Sequence, residues 1–272
     1  DSASRGLGDV YKRQSLAVGF SKEWAEQDLF LSVGYAQVEA LVGNPMNSSV
    51  GYSSWTYFND VDRDNPSLGV SQFEIPERMS AYMRWSPTLF ADLESRFSLT
   101  WSHNKGRPYS FVFNGYPDMR GDALDGDGDN MLLYVPTGPN DPNVVFADGF
   151  DTDAFFATMD SYGFERGAFV DRGQHYSPWY ARLNFKFEQM LPGLRTNDQS
   201  SVFFTIRNLG NFLNDEWGIY NFQSDHDIVD GQALNDGVDQ YYIYRNFRGL
   251  RDKGRSGRGS SYLVKIGFSY RF

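Results

Sequence analysis

Cysteine is absent from the 272 residues, which excludes a disulfide scaffold, a thiolate nucleophile and a cysteine-ligated metal. Bases are scarce. The 25 Lys and Arg against 35 Asp and Glu leave a formal net charge of −10, the wrong sign for a nucleic-acid partner. Histidine occurs three times, as His103, His175 and His226, at spacings that match no metal-ligand pattern. No Gly-x-Ser-x-Gly, His-Glu-x-x-His or phosphate-loop motif is present, so the chain is expected not to be an enzyme and to need no organic cofactor. No apolar run approaches the ~18 residues of a membrane-spanning helix. That absence leaves a membrane β-barrel open, because barrel strands alternate apolar and polar residues and keep average hydropathy low. The mean hydropathy here is −0.52.

What is abundant is aromatic: 17 Tyr, 23 Phe and 6 Trp, with 27 Gly, too much apolar surface for a disordered chain. The first residues stand apart from the rest. Ser4 to Gln14 reads SRGLGDVYKRQ, which looks like the in-frame translation of a sequencing adapter ending GAT GTG TAT AAG AGA CAG, a native polar N-terminus being the alternative. Residues 1–14 are therefore set aside as non-native, and 15–272 are read as one unit.

Period-2 alternation organises that unit. Tyr262, Val264, Ile266, Phe268, Tyr270 and Phe272 form one face of a terminal strand, with Leu263, Lys265, Gly267, Ser269 and Arg271 on the other. Leu89 to Ser102 repeats the pattern, with Ser95 alone interrupting its apolar side. Trp179 to Glu188 and Met79 to Trp85 follow it too, and weaker versions occur at Leu16 to Phe20, Leu29 to Tyr35 and Val202 to Ile206. The pattern predicts about seven long strands.

The connections alternate in length. Ser21 to Gln27, Ser86 to Thr88 and Leu191 to Gln199 are short, whereas 43–72, 116–175 and 223–259 are long, polar and rich in Gly, Asp, Asn and Pro. Structureless loops of that length are foreign to a compact soluble domain. Short turns at one end and long loops at the other fit an outer-membrane barrel, with apolar faces toward lipid and Trp85, Trp101, Trp179 and Tyr262 in the interfacial girdles. A soluble β-sandwich with one buried face would give the same alternation.

Several short motifs, in order, carry a resemblance. They are Gly106-Arg107-Pro108-Tyr109-Ser110, the Asp125-Gly126-Asp127-Gly128-Asp129-Asn130 run leading to Leu133-Tyr134-Val135-Pro136, and Ser177-Pro178-Trp179 with Arg182-Leu183-Asn184. Asn208-Leu209-Gly210-Asn211-Phe212-Leu213-Asn214 with Trp217-Gly218, and the terminal Tyr270-Arg271-Phe272, complete the set. Together they cover most of residues 15–272. The sequence resembles the C-terminal barrel segment of TonB-dependent outer-membrane receptors, in the Oar-like subgroup with a carboxypeptidase-regulatory-like N-terminal domain. The resemblance implies an all-β fold: part of an antiparallel transmembrane barrel, an open curved sheet of about seven strands with long extracellular loops, where the family closes about 22 strands around a plug. It implies the outer membrane of a Gram-negative bacterium, with lipid, lipopolysaccharide and the barrel-assembly machinery as partners, and TonB met through an N-terminal part that this sequence does not show. In such receptors the terminal aromatic is read during assembly, so Tyr270 and Phe272 would be the assembly signal. The parent would move a ligand by TonB-coupled energy; a structural or adhesive barrel that carries nothing is the alternative.

Two loops offer sites. Segment 116–175 holds twelve acids against three bases, and Asp125, Asp127 and Asp129 alternate there with Gly or Asn, an arrangement that can present oxygens to Ca²⁺. The sixth and twelfth positions, Asn130 and Pro136, break the EF-hand pattern, and a solvated acidic loop is the plainer expectation. Before the last strand, Arg245, Arg248, Arg251, Lys253, Arg255 and Arg258 could pair with lipopolysaccharide phosphates at the outer rim. Asp92 and Glu94 are expected on one strand face, neutralised by Arg96 and Lys186. Gly267 is expected on the polar face, where an Arg would cost less than at Ile266 if a lumen there has room.

Overall fold

In the computed structural model, residues 11–46, 48–90, 92–115, 130–195, 198–235 and 240–272 are described. Seven long strands form an antiparallel meander: β1 (Tyr11–Trp24), β2 (Leu29–Val42), β3 (Glu77–Trp85), β4 (Leu93–Asn104), β5 (Tyr180–Pro192), β6 (Gln199–Arg207) and β7 (Leu263–Arg271). Each pairs with its sequence neighbour, and two short strands attach at the margins. Among the described residues β1 bonds only to β2 and β7 only to β6, so the sheet is open and has two edges. Tyr11 to Gln14, inside the segment read as adapter, continue the ladder onto Val42 to Glu39.

The register explains why this wall has two unlike faces. Residues directly opposed in an antiparallel pair point the same way. One row therefore runs Leu31, Met83, Leu99, Phe185, Ile206, Val264, and the next runs Leu29, Trp85, Phe97, Phe187, Phe204, Ile266. From β2 to β7 neither row holds a charge; on β1 the first continues to Lys22 and the second to Trp24. The opposite face carries rows such as Ser32, Tyr82, Thr100, Asn184 and Arg84, Ser98, Lys186, Thr205, Lys265. The apolar face is bare: Ile266 is 76% exposed, Phe268 64% and Val18 63%. Among the described residues no second sheet lies over it, as a sandwich would require. Ser95, the polar interruption, is fully buried and donates its hydroxyl hydrogen bond to the Gln189 side chain opposite, which removes the cost of an unmatched polar group.

Leu89 to Ser102 is not one strand. Asp92 sits at φ +56° in the left-handed region, which Asp tolerates better than most residues, and turns Thr88–Phe90 back against β4. Asp92 is thereby removed from the strand face expected to carry it beside Glu94. Asp28, at φ +51°, closes the β1–β2 turn by the same device. These turns and the one from Pro192 to Gln199 lie at one end of the wall, and the three long connections lie at the other.

Those connections overturn the expectation of structureless loops. Val144–Phe146, Gln240–Phe247, His226–Asn235 and Phe111–Gly115 pair in that order into a second, mixed sheet, against which the helix Thr152–Tyr162 packs. Asp151 caps that helix by accepting a hydrogen bond from the Ala154 amide, 2.9 Å away, and Gly163 at φ +70° ends it. The helix buries Phe155, Phe156 and Met159 against Phe111, Phe113, Ile228 and Tyr244. Among the described residues this cap holds nearly all of the buried apolar core, and Ile206 is the only wall residue among the buried hydrophobics.

Candidate functional site

Where the long connections meet the wall they enclose a cavity of about 450 Å³, a volume suited to a small solute. Its rim includes Tyr57, Asn59, Arg107, Asn130, Tyr220 and Asp225. One buried cation holds the surrounding loops together. The Arg172 guanidinium donates to the Asn59 carbonyl (3.2 Å), the Ser67 carbonyl (3.0 Å) and the Val42 carbonyl, and lies 3.5 Å from Asp60. Its Nε has no partner, because Gly69 packs over it so closely that an added Cβ would lie 2.7 Å away. Burial pulls the Arg172 pKa down and the Asp60 carboxylate offsets part of that.

Asp225 accepts from the Ser110 amide at 2.6 Å and from Asn59 Nδ2 at 2.7 Å. Burial raises its pKa against those two bonds and the charge of Arg251. Asp141, among the acids read as solvated, is buried. It organises a turn by accepting from the amides of Thr137 (2.7 Å) and Asn143 (2.8 Å), and these bonds outweigh burial to hold its pKa below the usual range. Asp160 forms a two-armed pair with Arg166 at 2.6 and 2.8 Å. Acids of this segment thus build the cap.

The other sequence-predicted residues scatter. Asp125, Asp127 and Asp129 lie outside the described residues, and among the described residues no group of three or more His, Cys, Asp or Glu could hold a metal. The basic run does not converge on one surface. Arg248 pairs with Asp230 at 3.2 Å, Arg251 with Asp227, and Arg255 donates to the Asp215 carbonyl at 3.3 Å. Arg245 donates to Gln232, Lys253 is exposed, and Arg258 turns to a separate cavity beside Arg182. Phe272 is 97% exposed, and Tyr270, whose hydroxyl donates to Asp198, lies between the rings of Phe268 and Phe272.

Glu94 and Arg96 do meet as expected, at 2.8 Å, with Lys186 and Glu188 beside them at 2.8 Å. Gly267 has no room beside Phe203: an added Cβ would lie 2.2 Å from that ring, so the condition for a cheap Arg there is not met. His175 and His226, distant in sequence, converge on Tyr109, at ring distances of 6.0 and 5.3 Å. His226 Nδ1 accepts the Arg251 amide at 3.0 Å, and burial together with the Arg251 charge lowers its pKa to about 4. Neither the histidine pair nor the Arg172 hub had a sequence signal, since both are made by contacts across the chain. His103 is unrelated to them and packs between Trp101 and Trp179 on the apolar face.

The chain was compared with protein-family models, curated proteins and solved structures. It matches none of them.

Proposed function

We propose that this chain is the C-terminal part of a TonB-dependent outer-membrane receptor of Oar-like type, its apolar wall face in lipid and its cap outside the cell. The observation that carries the reading is a bare apolar face across seven strands of nine to fourteen residues, with charge on it confined to Lys22 near the turn end and to Lys12, Glu39 and Glu77 at the loop end. Strands of about 9–11 residues cross a bilayer when tilted. In hydrocarbon each unpaired backbone group is costly, so two free edges call for further strands to close the barrel, and that supports a larger parent. Turns gathered at one end and a folded cap at the other fit the periplasmic and extracellular sides.

Reconstitution of the complete parent into vesicles of brominated phosphatidylcholine tests the membrane part. Trp85 and Trp101 lie on the apolar face, and quenching of tryptophan emission is the expected result; emission unchanged by bromination sinks the lipid assignment. The transport part is tested by uptake in cells with and without TonB. Growth or uptake indifferent to TonB favours the structural or adhesive barrel instead.

A further inference from the structure

The cavity described above is the first of three that share arginines. A second, of about 340 Å³, is lined by Ile75, Lys105, Arg107, Tyr180, Arg182 and Tyr220. A third, of about 210 Å³, is lined by Arg182, Arg207 and Arg258 with Tyr262. Arg107 borders the first and second, and Arg182 borders the second and third. Arg182 and Arg207 project from β5 and β6 on the polar face of the wall, near the loop end.

Two arginines of that face near the turn end are neutralised, whereas Arg13, Arg78 and Arg271, like the arginines at the cavities, meet no carboxylate within 4 Å among the described residues. Arg84 has Glu23 at 3.4 Å, and Arg96 has Glu94 at 2.8 Å and Glu188 at 3.7 Å. Among the described residues no carboxylate comes within 4 Å of Arg107, Arg182, Arg207 or Arg258. Arg182 spends one nitrogen on the Gly259 carbonyl at 2.8 Å, which fixes its direction and leaves other N–H groups for a ligand. Asp225, the acid on the first cavity, is already held by Ser110 and Asn59. In a chain of net charge −10, four arginines left without acids along three cavities that share lining residues concentrate positive potential at the loop end of the wall.

We infer that these cavities bind an extended solute carrying at least two oxyanion groups, phosphate, sulfate or carboxylate, with Arg107 and Arg182 as its principal contacts. A guanidinium presents paired N–H groups that match the two oxygens of such a group, and the tyrosines at Tyr180, Tyr220 and Tyr262 offer apolar surface and hydroxyls between the charges. Placement on the polar face, opposite the lipid-facing rows, favours a dissolved solute over a lipid headgroup. The inference deepens the receptor reading and rests on one part of it, that the polar face is wet.

Tripolyphosphate is the probe, titrated by calorimetry into the complete parent in detergent free of lipopolysaccharide, with maltotriose as the uncharged control. Saturable binding of tripolyphosphate alone is expected, weakening as salt rises. Arg182→Gln and, separately, Arg107→Gln should each lower the affinity at least tenfold, whereas Lys253→Gln, on the exposed loop away from the cavities, should leave it unchanged. Arg107 makes no ion pair, so its replacement tests the site even if Arg182→Gln disturbs folding through the lost Gly259 bond. Absence of saturable binding, or binding that both arginine variants retain, overturns the inference. Lipopolysaccharide added to the micelles should not compete; full competition would give the arginines to lipid and overturn the assignment to a solute. Bromolipid quenching on the same sample separates the two readings: quenching without tripolyphosphate binding fails the inference alone, and binding without quenching fails the membrane reading alone.

Discussion

The wall and the cap solve opposite problems with similar residues. The wall displays Val18, Ile266 and Phe268 outward and has almost no interior of its own. Between its two edges the backbone is satisfied by the ladder, and its apolar side chains stay exposed. The cap does the reverse, drawing Phe111, Phe113, Phe155 and Tyr244 into a close-packed core out of segments that look polar in sequence. The lesson is that apolar content does not locate the core. A strand with perfect alternation has one face for whatever medium adjoins it, whereas dispersed aromatics in a polar loop can meet and exclude water together.

That contrast can be broken at several points. The largest effect is expected in the cap. Phe155→Ala removes a ring with no exposed surface and should cost about 3–5 kcal/mol of cap stability, read by urea unfolding with an aromatic circular-dichroism signal. The wall should keep its β-sheet signal through that transition; loss of cap and wall together would show one cooperative unit. On the wall, Ile266→Arg should cost about 2–4 kcal/mol for folding into vesicles if the position lies near the bilayer midplane. The same substitution should be nearly silent for the cap transition, and an equal penalty on both would erase the distinction.

Acid should separate the regions next. His226 has a folded pKa of about 4, below the ordinary value of 6.5, so the unfolded cap takes up the proton first. Its contribution is complete above about pH 6.5 and is lost as the pH falls toward 4, at most about 3 kcal/mol. His175, its pKa also lowered by burial, acts in the same direction. Cap stability measured from pH 7 to pH 4 should therefore fall, and a His226→Gln variant should show a flatter decline. The smallest effect is steric. Gly267→Ala places a Cβ against the Phe203 ring and should cost about 1–3 kcal/mol, recovered in part when Phe203 is shortened to Leu. Vesicle folding titrations on the single and double variants measure both.

Strand positions were legible because alternation is a local property. The faces assigned to Met79–Trp85, Phe97–Trp101, Phe185–Phe187 and Val264–Phe268 are those seen in the register. Failures came where one residue changes the chain direction or where partners are remote. Asp92 reads as one more polar residue of a strand until its left-handed φ turns the chain. Asp141 reads as one acid among twelve, yet the amides of Thr137 and Asn143 fold around it. Arg172 has no local signature at all, since its acceptors lie at Val42, Asn59 and Ser67.

The sequence by itself determined that this chain is β-rich, that its strands carry one apolar and one polar face, and that short and long connections alternate. Each follows from the two-residue period of an extended backbone and from the residues that turns favour, and neither needs knowledge of what lies across space. Only the tertiary structure decided that the long connections pack into a cap with its own core, and that Arg107, Arg182, Arg207 and Arg258 line cavities that share residues. Those outcomes depend on contacts between residues far apart in the chain, where burial and the pairing of charge are settled by what each group meets once the chain has folded.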